Sequence, residues 1–341
     1  MKIKMVDVAR HLGVSKATVS LAVHNKPGVN PETRRKVLAC MEEMQKNGGI
    51  LPETSVSAPA PVTVNQMIKV VIINHRKKVV CDPELDLWSE VLTTFDSEAR
   101  KRSYFYGLTY MNDNEEERET VIADCNMEIV SGIIVFGTEM TAEDELFLKR
   151  LNKPVVIYDC EAGNYSSVCI DNEAAVRKAL ELLRESGADR VKYLCTGKDI
   201  YNFRRRREAF YSSALGREEL PAKDDVVELG GTIPEITENF LVWLEHNRLP
   251  DAFLFENYQV SIGVMTALRK RGIRVPEKVR AVGIDEIPET ILADMSLTQI
   301  KIPHAERAAM AIDLLDKEMS GFWKSRIKVF AEPEVILRDS I

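Results

Sequence analysis

The chain has 341 residues, a formal net charge of −7 and six cysteines. No apolar run approaches membrane-spanning length and the amino terminus lacks the apolar core of a signal peptide, so we expect a cytoplasmic protein without a membrane partner. The cysteines form no Cys-x-x-Cys pair, no histidine stands at zinc-ligand spacing, and the histidines are scattered. We therefore expect no metal, no cofactor and no disulfide framework.

Charge is divided unevenly along the chain. Residues 1–49 hold nine lysines and arginines against four acidic residues, a balance near +5, which leaves about −12 for the remainder. Such an asymmetry is expected when one end neutralises phosphates while the acidic body is repelled by DNA. Double-stranded DNA is therefore the predicted partner of the first segment.

Within this basic segment the pattern predicts a helix, a tight turn and two further helices. Val8, Ala9 and Leu12 form one apolar stripe and Gly13 ends their helix, after which Ser15 is the predicted N-cap of the second helix. The apolar positions predicted to share a small core on the next two helices are Val19, Val23, Val37, Leu38, Met41 and Met44. A helical hairpin that only packs is the alternative, and the positive charge favours DNA binding.

The segment resembles the amino terminus of the lactose-repressor/galactose-repressor (LacI/GalR) family of bacterial transcription regulators. The matching residues are Asp7-Val8-Ala9, Gly13-Val14-Ser15, Thr18-Val19-Ser20, Asn25, Val29 and Glu32-Thr33-Arg34 through Val37. The resemblance implies a helix-turn-helix repressor that binds its operator as a homodimer. The DNA-binding residues that it implies are Ser15, Lys16, Ala17, Thr18, Ser20, Leu21 and Asn25.

Two features of the segment depart from the family pattern. Leu21 stands where relatives commonly carry an arginine that reads guanine, so we expect a half-site without that guanine contact. Lys16 then remains as a base or a phosphate contact, and the sequence leaves both open. Gly48-Gly49, just before the linker, and three prolines within residues 50–66 argue against the usual hinge helix and favour an extended linker.

Beyond Gln66 the pattern is that of parallel sheets with helices on both faces. The predicted strands are Lys69 to Asn74, Tyr104 to Thr109, Gly132 to Phe136, Pro154 to Tyr158, Arg190 to Cys195, Ala252 to Phe255 and Val279 to Gly283. The predicted helices are Leu87 to Lys101, Asn172 to Ser186, Arg205 to Leu215, Ile236 to Asn247, Ser261 to Arg271 and Glu306 to Met319. About 275 residues exceed one usual core, which favours two α/β lobes.

The family resemblance continues through this region and implies the two-lobed fold of periplasmic sugar-binding proteins, with a ligand cleft between the lobes. The predicted organisation is a DNA-binding domain at 1–49, a linker at 50–66, and an effector-binding and dimerisation domain at 67–341. Its first lobe is predicted at 67–172 and 301–321, and its second at 173–300 and 322–341. The fold class is thus a small all-α domain followed by a periplasmic-binding-protein-like domain.

Cleft residues follow from the same resemblance. The candidates are Trp88, Asp159, Asn202, Arg206, Tyr258 and Asp285. Arg206 could bind ligand oxygens through its guanidinium fork, although a run of four arginines more often forms a solvated helix face. Trp88 could stack on a ring or simply belong to the core. Asp171 is expected to be structural.

Tyr258 replaces the aspartate that relatives usually carry beside Asn257. A phenol is bulkier and uncharged at neutral pH, so we expect the effector to be held differently from the sugars of typical relatives. The effector remains a sugar, a nucleobase or an organic acid, and induction and corepression remain equally open. The alternative function is an α/β binding protein or enzyme with a helical appendage that does not bind DNA.

Overall fold

The computed structural model describes residues 5, 8–9, 14–24, 26, 31–46, 66–75, 88–213, 223–287, 291 and 296–341. The chain divides into two compact units, Met1–Thr63 and Val64–Ile341. The predicted linker lies outside the described residues apart from Gln66, so its extended conformation stays a prediction.

The first unit is a small helical domain in which α1 is Lys16–Val23 and α2 is Pro31–Lys46. Its core consists of Val8, Ala9, Val19, Ala22, Val37 and Cys40. Of the predicted core positions, Val8, Ala9, Val19 and Val37 are buried and Val23 and Met41 pack against them, whereas Leu38 is 43% exposed. Leu12, Gly13 and the Met44 side chain lie outside the described residues. Cys40 lies three residues after Val37 and so shares its helix face, whereas Leu38 is turned about 100° away from Val37.

Within the described residues, the second unit contains two six-stranded sheets of matching topology. The first sheet consists of β1 (Met67–Ile73), β2 (Phe105–Met111), β3 (Val130–Phe136), β4 (Val155–Tyr158), β5 (Ser166–Ile170) and β11 (Lys328–Ala331), in the order β11-β5-β4-β3-β1-β2. The second consists of β6 (Val191–Cys195), β7 (Val226–Glu228), β8 (Ala252–Phe255), β9 (Arg280–Ile284), β10 (Thr298–Lys301) and β12 (Glu334–Ile336), in the order β12-β10-β9-β8-β6-β7. All strand pairs are parallel except β10 with β12.

Helices cover both faces of each sheet. They are α3 (Ser89–Lys101), α4 (Glu115–Cys125), α5 (Asp144–Leu148), α6 (Asn172–Glu185), α7 (Tyr201–Ser212), α8 (Ile233–His246), α9 (Tyr258–Lys270) and α10 (His304–Met319). Helices α3 and α10 share one core with the first sheet, and α4 and α5 share the core on its other face. Helices α6 and α7 pack on one face of the second sheet, and α8 and α9 on the other.

The predicted α/β class is confirmed, and all seven predicted strands exist with ends within two residues of the prediction. Two helices begin three residues earlier than predicted because polar side chains cap them. The Thr232 hydroxyl accepts a bond from the Glu235 amide at the start of α8, and the Asn257 side chain accepts one from the Val260 amide at the start of α9. Helix α7 begins at Tyr201, four residues before the predicted start.

One lobe boundary needs correction. Residues 322–341 are predicted for the second lobe, but β11 pairs in parallel with β5 of the first sheet, and only β12 pairs with β10 of the second. The chain therefore crosses back between the lobes after Ala331. The apolar pattern of a short edge strand does not say which sheet it joins, which is why the sequence misplaced this crossover.

Candidate effector site and DNA-binding surface

Helix α1 is the candidate recognition helix. Its predicted N-cap is confirmed, because the Ser15 hydroxyl accepts a hydrogen bond from the Thr18 amide at 3.0 Å. Val19 is fully buried, which fixes α1 on the core and turns its other face to solvent. Ser15 and Lys16 are exposed, and Leu21 is half-buried.

The remaining predicted DNA contacts are only partly described. Thr18 and Ser20 lie in α1 and are half-buried, and Ala17 belongs to the same helix. Asn25 lies outside the described residues. The described candidates thus share one short helix, while their contacts with DNA stay a prediction.

A cavity of about 340 Å³ lies between the two lobes of the second unit. All six predicted cleft residues line it: Trp88, Asp159, Asn202, Arg206, Tyr258 and Asp285. The sequence missed its other lining residues, Glu90, Thr138, Ile170, Ile200, Phe203, Glu286 and His304. Several of these follow the carboxyl ends of parallel strands, where ligands of such folds bind, and that rule could have found Thr138 after β3 and Glu286 after β9.

Two aspartates occupy equivalent places in the two lobes. Asp159 follows β4 and Asp285 follows β9, with φ of 76° and 73°. In each case the amide at that residue donates to the next strand of the sheet, to the Val168 carbonyl at 2.9 Å and to the Ile300 carbonyl at 3.0 Å. These bonds hold a left-handed backbone that is uncommon for aspartate and so fix where each carboxylate lies.

Each aspartate pairs with a buried arginine. Arg307 Nη2 donates to Asp159 Oδ1 at 2.5 Å. Arg206 donates from Nη2 to Asp285 Oδ1 at 2.9 Å and from Nη1 to Asp285 Oδ2 at 3.2 Å. Burial tends to lower the pKa of Arg206, but the Asp285 carboxylate outweighs it and raises that pKa. Both arginines therefore stay charged beside the cavity.

Arg206 is held by more than its aspartate. Its Nε donates to Asn172 Oδ1 at 2.9 Å, and Nη1 also donates to the Glu256 carbonyl at 2.6 Å. Four of its five N–H groups are thus used within the protein. The prediction that Arg206 reaches the cleft is consistent with this geometry, and any part in binding a ligand belongs to the remaining N–H.

Asn202 joins the two lobes. From α7 in the second lobe its Nδ2 donates to Asp159 Oδ2 at 2.9 Å and to the Asp159 carbonyl at 3.1 Å. Its Oδ1 accepts from Asn172 Nδ2 at 2.8 Å. Asn172 also holds Arg206, so an unbroken hydrogen-bond chain runs between the two aspartate–arginine pairs. The sequence did not single out Asn172 as a site residue.

Aromatic groups form much of the cavity wall. The Trp88 ring lies edge-to-face against Phe136 at 5.0 Å and against His304 at 5.5 Å between centroids. Trp88 therefore packs on the core and lines the cavity at once, so its two predicted roles are compatible. Phe203 and Tyr258 line the cavity from the second lobe.

His304 is uncharged at neutral pH. Burial, together with the nearby Arg307 charge, lowers the pKa of His304 to about 4. Arg307 Nη1 lies 3.5 Å from His304 Nδ1. Because a guanidinium can only donate, Nδ1 is assigned as the acceptor and Nε2 as the protonated nitrogen.

The arginine run is not uniformly exposed. Arg204 and Arg205 are about half exposed and pair with Asp199 and Glu208, as expected of a solvated helix face. Arg207 is the exception, because its Nη1 lies 2.9 Å from Oε1 of fully buried Glu256. A solvated helix face, the common outcome for such a run, therefore describes Arg204 and Arg205 but not Arg207.

Asp171 caps α6, since its Oδ1 accepts from the Ala174 amide at 2.8 Å, in line with its predicted structural role. The five cysteines within the described residues are buried. No group of histidine, cysteine and acidic side chains suited to a metal ion occurs in the described part of the chain. Every helix among the described residues is too short or too polar to cross a bilayer.

Comparisons with known proteins agree with both units. Residues 4–45 match the model for bacterial regulatory proteins of the lacI family, and residues 180–341 match that for periplasmic binding protein-like domains. Catabolite control protein A of Priestia megaterium is 27% identical over 94% of this chain and 93% of its own. The regulator GalS of Salmonella typhimurium is 28% identical over 92% of this chain and 89% of its own.

Solved structures share the fold. The lac repressor dimer bound to operator and an anti-inducer aligns with a TM-score of 0.68 at 20% identity, covering 100% of this chain and 99% of that one. The regulator CelR in complex with cellobiose aligns with a TM-score of 0.68 at 18% identity, covering 100% of both chains.

Fold and site together define a helix-turn-helix regulator joined to a two-lobed small-molecule-binding domain. The chain belongs to the LacI/GalR family of bacterial transcription regulators. It is a DNA-binding transcriptional regulator, and its relatives are regulators rather than enzymes. The alternative of an enzyme with an inert helical appendage is not favoured.

Proposed function

We propose that this regulator is a homodimeric repressor whose affinity for its operator is set by a small molecule in the cavity between the lobes. The observation that carries the proposal is the lining of that cavity by both lobes, which are tied across it through Asn202 and Asp159. A ligand that contacts both sides would favour one arrangement of the lobes over others. Linkage then requires ligand and operator to affect each other's affinity equally.

In this proposal the effector contacts Trp88, Asp159, Asn202, Arg206, Tyr258 and Asp285. Relatives of the same fold support an organic effector, since one solved structure holds cellobiose and another an anti-inducer. Sugar, nucleobase and organic acid are the starting candidates for this chain. Tyr258 at the start of α9 favours a ligand that stacks over one that needs a carboxylate acceptor there.

The DNA contacts come from α1, as proposed from the sequence. Exposed Lys16 at its first turn is in a position to reach a base edge or a phosphate. Leu21 offers apolar contact, for which a thymine methyl group is the natural partner. Leucine cannot make the two hydrogen bonds by which arginine reads guanine, so the half-site should lack guanine at that position.

Dimerisation is proposed through the first lobe. Strand β2 is an edge strand. Its side chains Leu108 and Tyr110 are exposed on one face, and Phe105 is exposed on the other. An exposed apolar row on an edge strand is a liability unless another surface covers it. A second copy of the chain is the occupant that also supplies two recognition helices for a near-palindromic operator.

Selection of binding sites from random duplexes, followed by fluorescence anisotropy on the selected site, tests the DNA half of the proposal. We expect a near-palindromic site, with affinity that falls steeply as salt rises because lysines and arginines displace counterions. Lys16→Ala should weaken binding, and Leu21→Arg should shift the selected half-site towards guanine. Failure to select any duplex in dilute buffer would overturn the proposal.

Light scattering after gel filtration tests the assembly. The wild-type chain should elute as a dimer, and Leu108→Asp should give a monomer because it buries a charge in the proposed contact. Leu146→Asp is a matched control, since Leu146 is 64% exposed and lies away from β2 on α5. A dimer that survives Leu108→Asp would place the interface elsewhere.

A further inference from the structure

We propose that the effector is a planar aromatic molecule carrying a positive charge, and not a polyhydroxylated sugar or an organic acid. The inference rests on the proposed function, because it concerns the same cavity. Three observations carry it: the scarcity of hydrogen-bond donors in the lining, the aromatic walls, and the sign of the charge at the rim. Each comes from the described lining residues.

The guanidinium and side-chain amide donors of the lining are almost all used within the protein, and one Arg206 N–H remains. Four of the five Arg206 N–H groups bond to Asn172, Glu256 and Asp285. The Asn202 side-chain amide donates to Asp159. A ligand carboxylate would have to displace a buried Asp285 contact to obtain a bidentate arginine, which costs a charged hydrogen-bond pair.

Asp159 is also occupied as an acceptor. Its Oδ1 takes the Arg307 bond, and its Oδ2 takes bonds from Thr138 Oγ1 at 2.6 Å and from Asn202 at 2.9 Å. A sugar hydroxyl would have to compete with these internal donors. Asp285 keeps more room, because its side chain is 18% exposed and each of its oxygens accepts only one bond from Arg206. This acceptor suits a ligand N–H group.

The walls suit a flat ring. Trp88 and His304 lie on the first-lobe side, with Phe203 and Tyr258 on the second-lobe side. The ring faces of aromatic side chains carry negative charge, so they attract cations as well as other aromatic rings. A planar cation thus gains from stacking and from electrostatics in the same place.

The rim is acidic. Glu90 and Glu286 both line the cavity, and Glu90 is exposed and Glu286 half-buried. Glu286 lies 3.4 Å from Lys301, and Glu90 forms no ion pair of its own in the described part of the chain. The two aspartates are neutralised by their arginines, and His304 is uncharged, so the described lining keeps a negative balance. This balance repels carboxylates and attracts a ligand cation.

Isothermal titration calorimetry on the full chain can distinguish the contribution of the aromatic ring to affinity from that of the ligand charge. Two of the probes share an indole ring and differ in charge. Tryptamine is a cation at neutral pH and indole-3-acetate is an anion, and glucose serves as the sugar probe. We expect tryptamine to bind about tenfold tighter than indole-3-acetate, from cation attraction and anion repulsion at the same ring. Glucose should give no measurable heat.

Variants locate the effect in the cavity. Glu90→Gln should reduce the tryptamine preference about threefold, as expected for an exposed charge, and Trp88→Leu should weaken tryptamine about tenfold, with Trp88→Phe restoring part of the loss. Glu128→Gln is the matched control, because Glu128 is exposed and precedes β3 at the opposite end of that strand from the cavity. This control variant should bind tryptamine and indole-3-acetate with the affinities of the wild-type chain.

Each outcome bears on one proposal. Glucose or indole-3-acetate binding as tightly as tryptamine, or all three probes failing to bind, would overturn the aromatic-cation assignment. Binding of glucose that alters operator affinity would still leave the regulator with an effector cleft. The proposed function as a DNA-binding repressor fails on a different measurement, the absence of any selected operator.

Discussion

The two aspartate–arginine pairs look alike in position and differ in what surrounds them. Asp285 and Arg206 form a two-bond pair that lies wholly within the second lobe. Asp159 and Arg307 share a single close bond, and Arg307 Nε is buried without a hydrogen-bond partner. The second-lobe pair is thus self-contained, and the first-lobe pair is incomplete by itself.

Asp159 also accepts hydrogen bonds from the other lobe. Asn202 donates to it from α7, whereas the bonds described for Asp285 stay within its own lobe, to the Arg206 and Gln299 side chains and the Ile300 carbonyl. The two carboxylates lie at equivalent strand ends but therefore have different structural roles. Asp285 fixes the Arg206 guanidinium inside the second lobe, whereas Asp159 lies where the two lobes meet. We therefore expect the closure of the lobes over the cavity to depend more on Asp159 than on Asp285.

Removing Arg206 should have the largest effect on stability. Arg206→Met leaves Asp285 without its counter-ion and the Asn172 and Glu256 oxygens without a donor, so we expect the free energy of unfolding to fall by about 3–5 kcal/mol. Arg204→Met on the same helix is the control, and its exposed pair with Asp199 should cost less than about 1 kcal/mol. Urea denaturation of both variants checks this. Equal losses would mean that the second-lobe pair is not structural.

Asn202→Ala tests the contact between lobes and should cost less. It removes the bonds to Asp159 and leaves Asn172 Nδ2 short of a partner, a loss of about 1–3 kcal/mol. Another bond from α7 to the first lobe, donated by the Tyr201 hydroxyl to Glu161 at 2.8 Å, should limit the effect. Hydrogen exchange should rise at the carboxyl ends of β4 and β9, and Ser212→Ala on the same helix should leave it unchanged. No change with Asn202→Ala would argue against a tie at this point.

The sequence located the strand-end aspartates but not the chemistry between them. Asp159, Arg206 and Asp285 follow from family motifs, and the seven predicted strands follow from apolar runs bounded by polar residues. The partner of Asp159 could not be found in this way. Arg307 lies 148 positions further along the chain, and only the return of α10 to the first lobe brings it close.

Five of the twelve described strands and the interlobe amides were missed for physical reasons; the strands are β5, β7, β10, β11 and β12. Strand β11 has four residues that alternate between exposed and half-buried, a pattern too weak to distinguish it from a loop. Asn172 looks like an ordinary residue in the first turn of α6, and its hydrogen bonds to Asn202 and Arg206 depend on how α7 packs on α6. Side-chain networks of this kind depend on tertiary packing, which local sequence does not encode.

The pH dependence of stability should distinguish the two aspartate–arginine pairs, because a histidine lies beside the Asp159–Arg307 pair. His304 faces Arg307 and Trp88, with Asp159, Asp285 and Arg206 near enough to act on its charge. Its pKa is lowered in the folded state from 6.5 to about 4, so its stabilising contribution is complete above pH 6.5 and is lost as pH falls towards 4. In this window we expect the free energy of unfolding, measured by urea denaturation, to change by up to about 1.4 kcal/mol per pH unit. His304→Phe should remove this slope. An unchanged slope in the variant would show that His304 titrates normally.

A second histidine in the first lobe should act in the opposite direction and more weakly. His75 follows β1, with Nε2 2.7 Å from Asp144 Oδ2 and Nδ1 in contact with Asp113, while Arg118 lies 3.8 Å from Asp144. Burial alone would lower the pKa of His75, but these carboxylates outweigh it and raise that pKa above 6.5.

Its contribution is therefore complete below pH 6.5 and is lost as pH rises through the raised value. The Asp113 side chain is 63% exposed, so solvent screens part of the attraction and the effect should be smaller than that of His304. Urea denaturation of His75→Gln should flatten the stability curve above pH 6.5 and leave the slope below it intact. Because the two histidines titrate in separate windows, a change below pH 6.5 in this variant would contradict the assignment of that slope to His304.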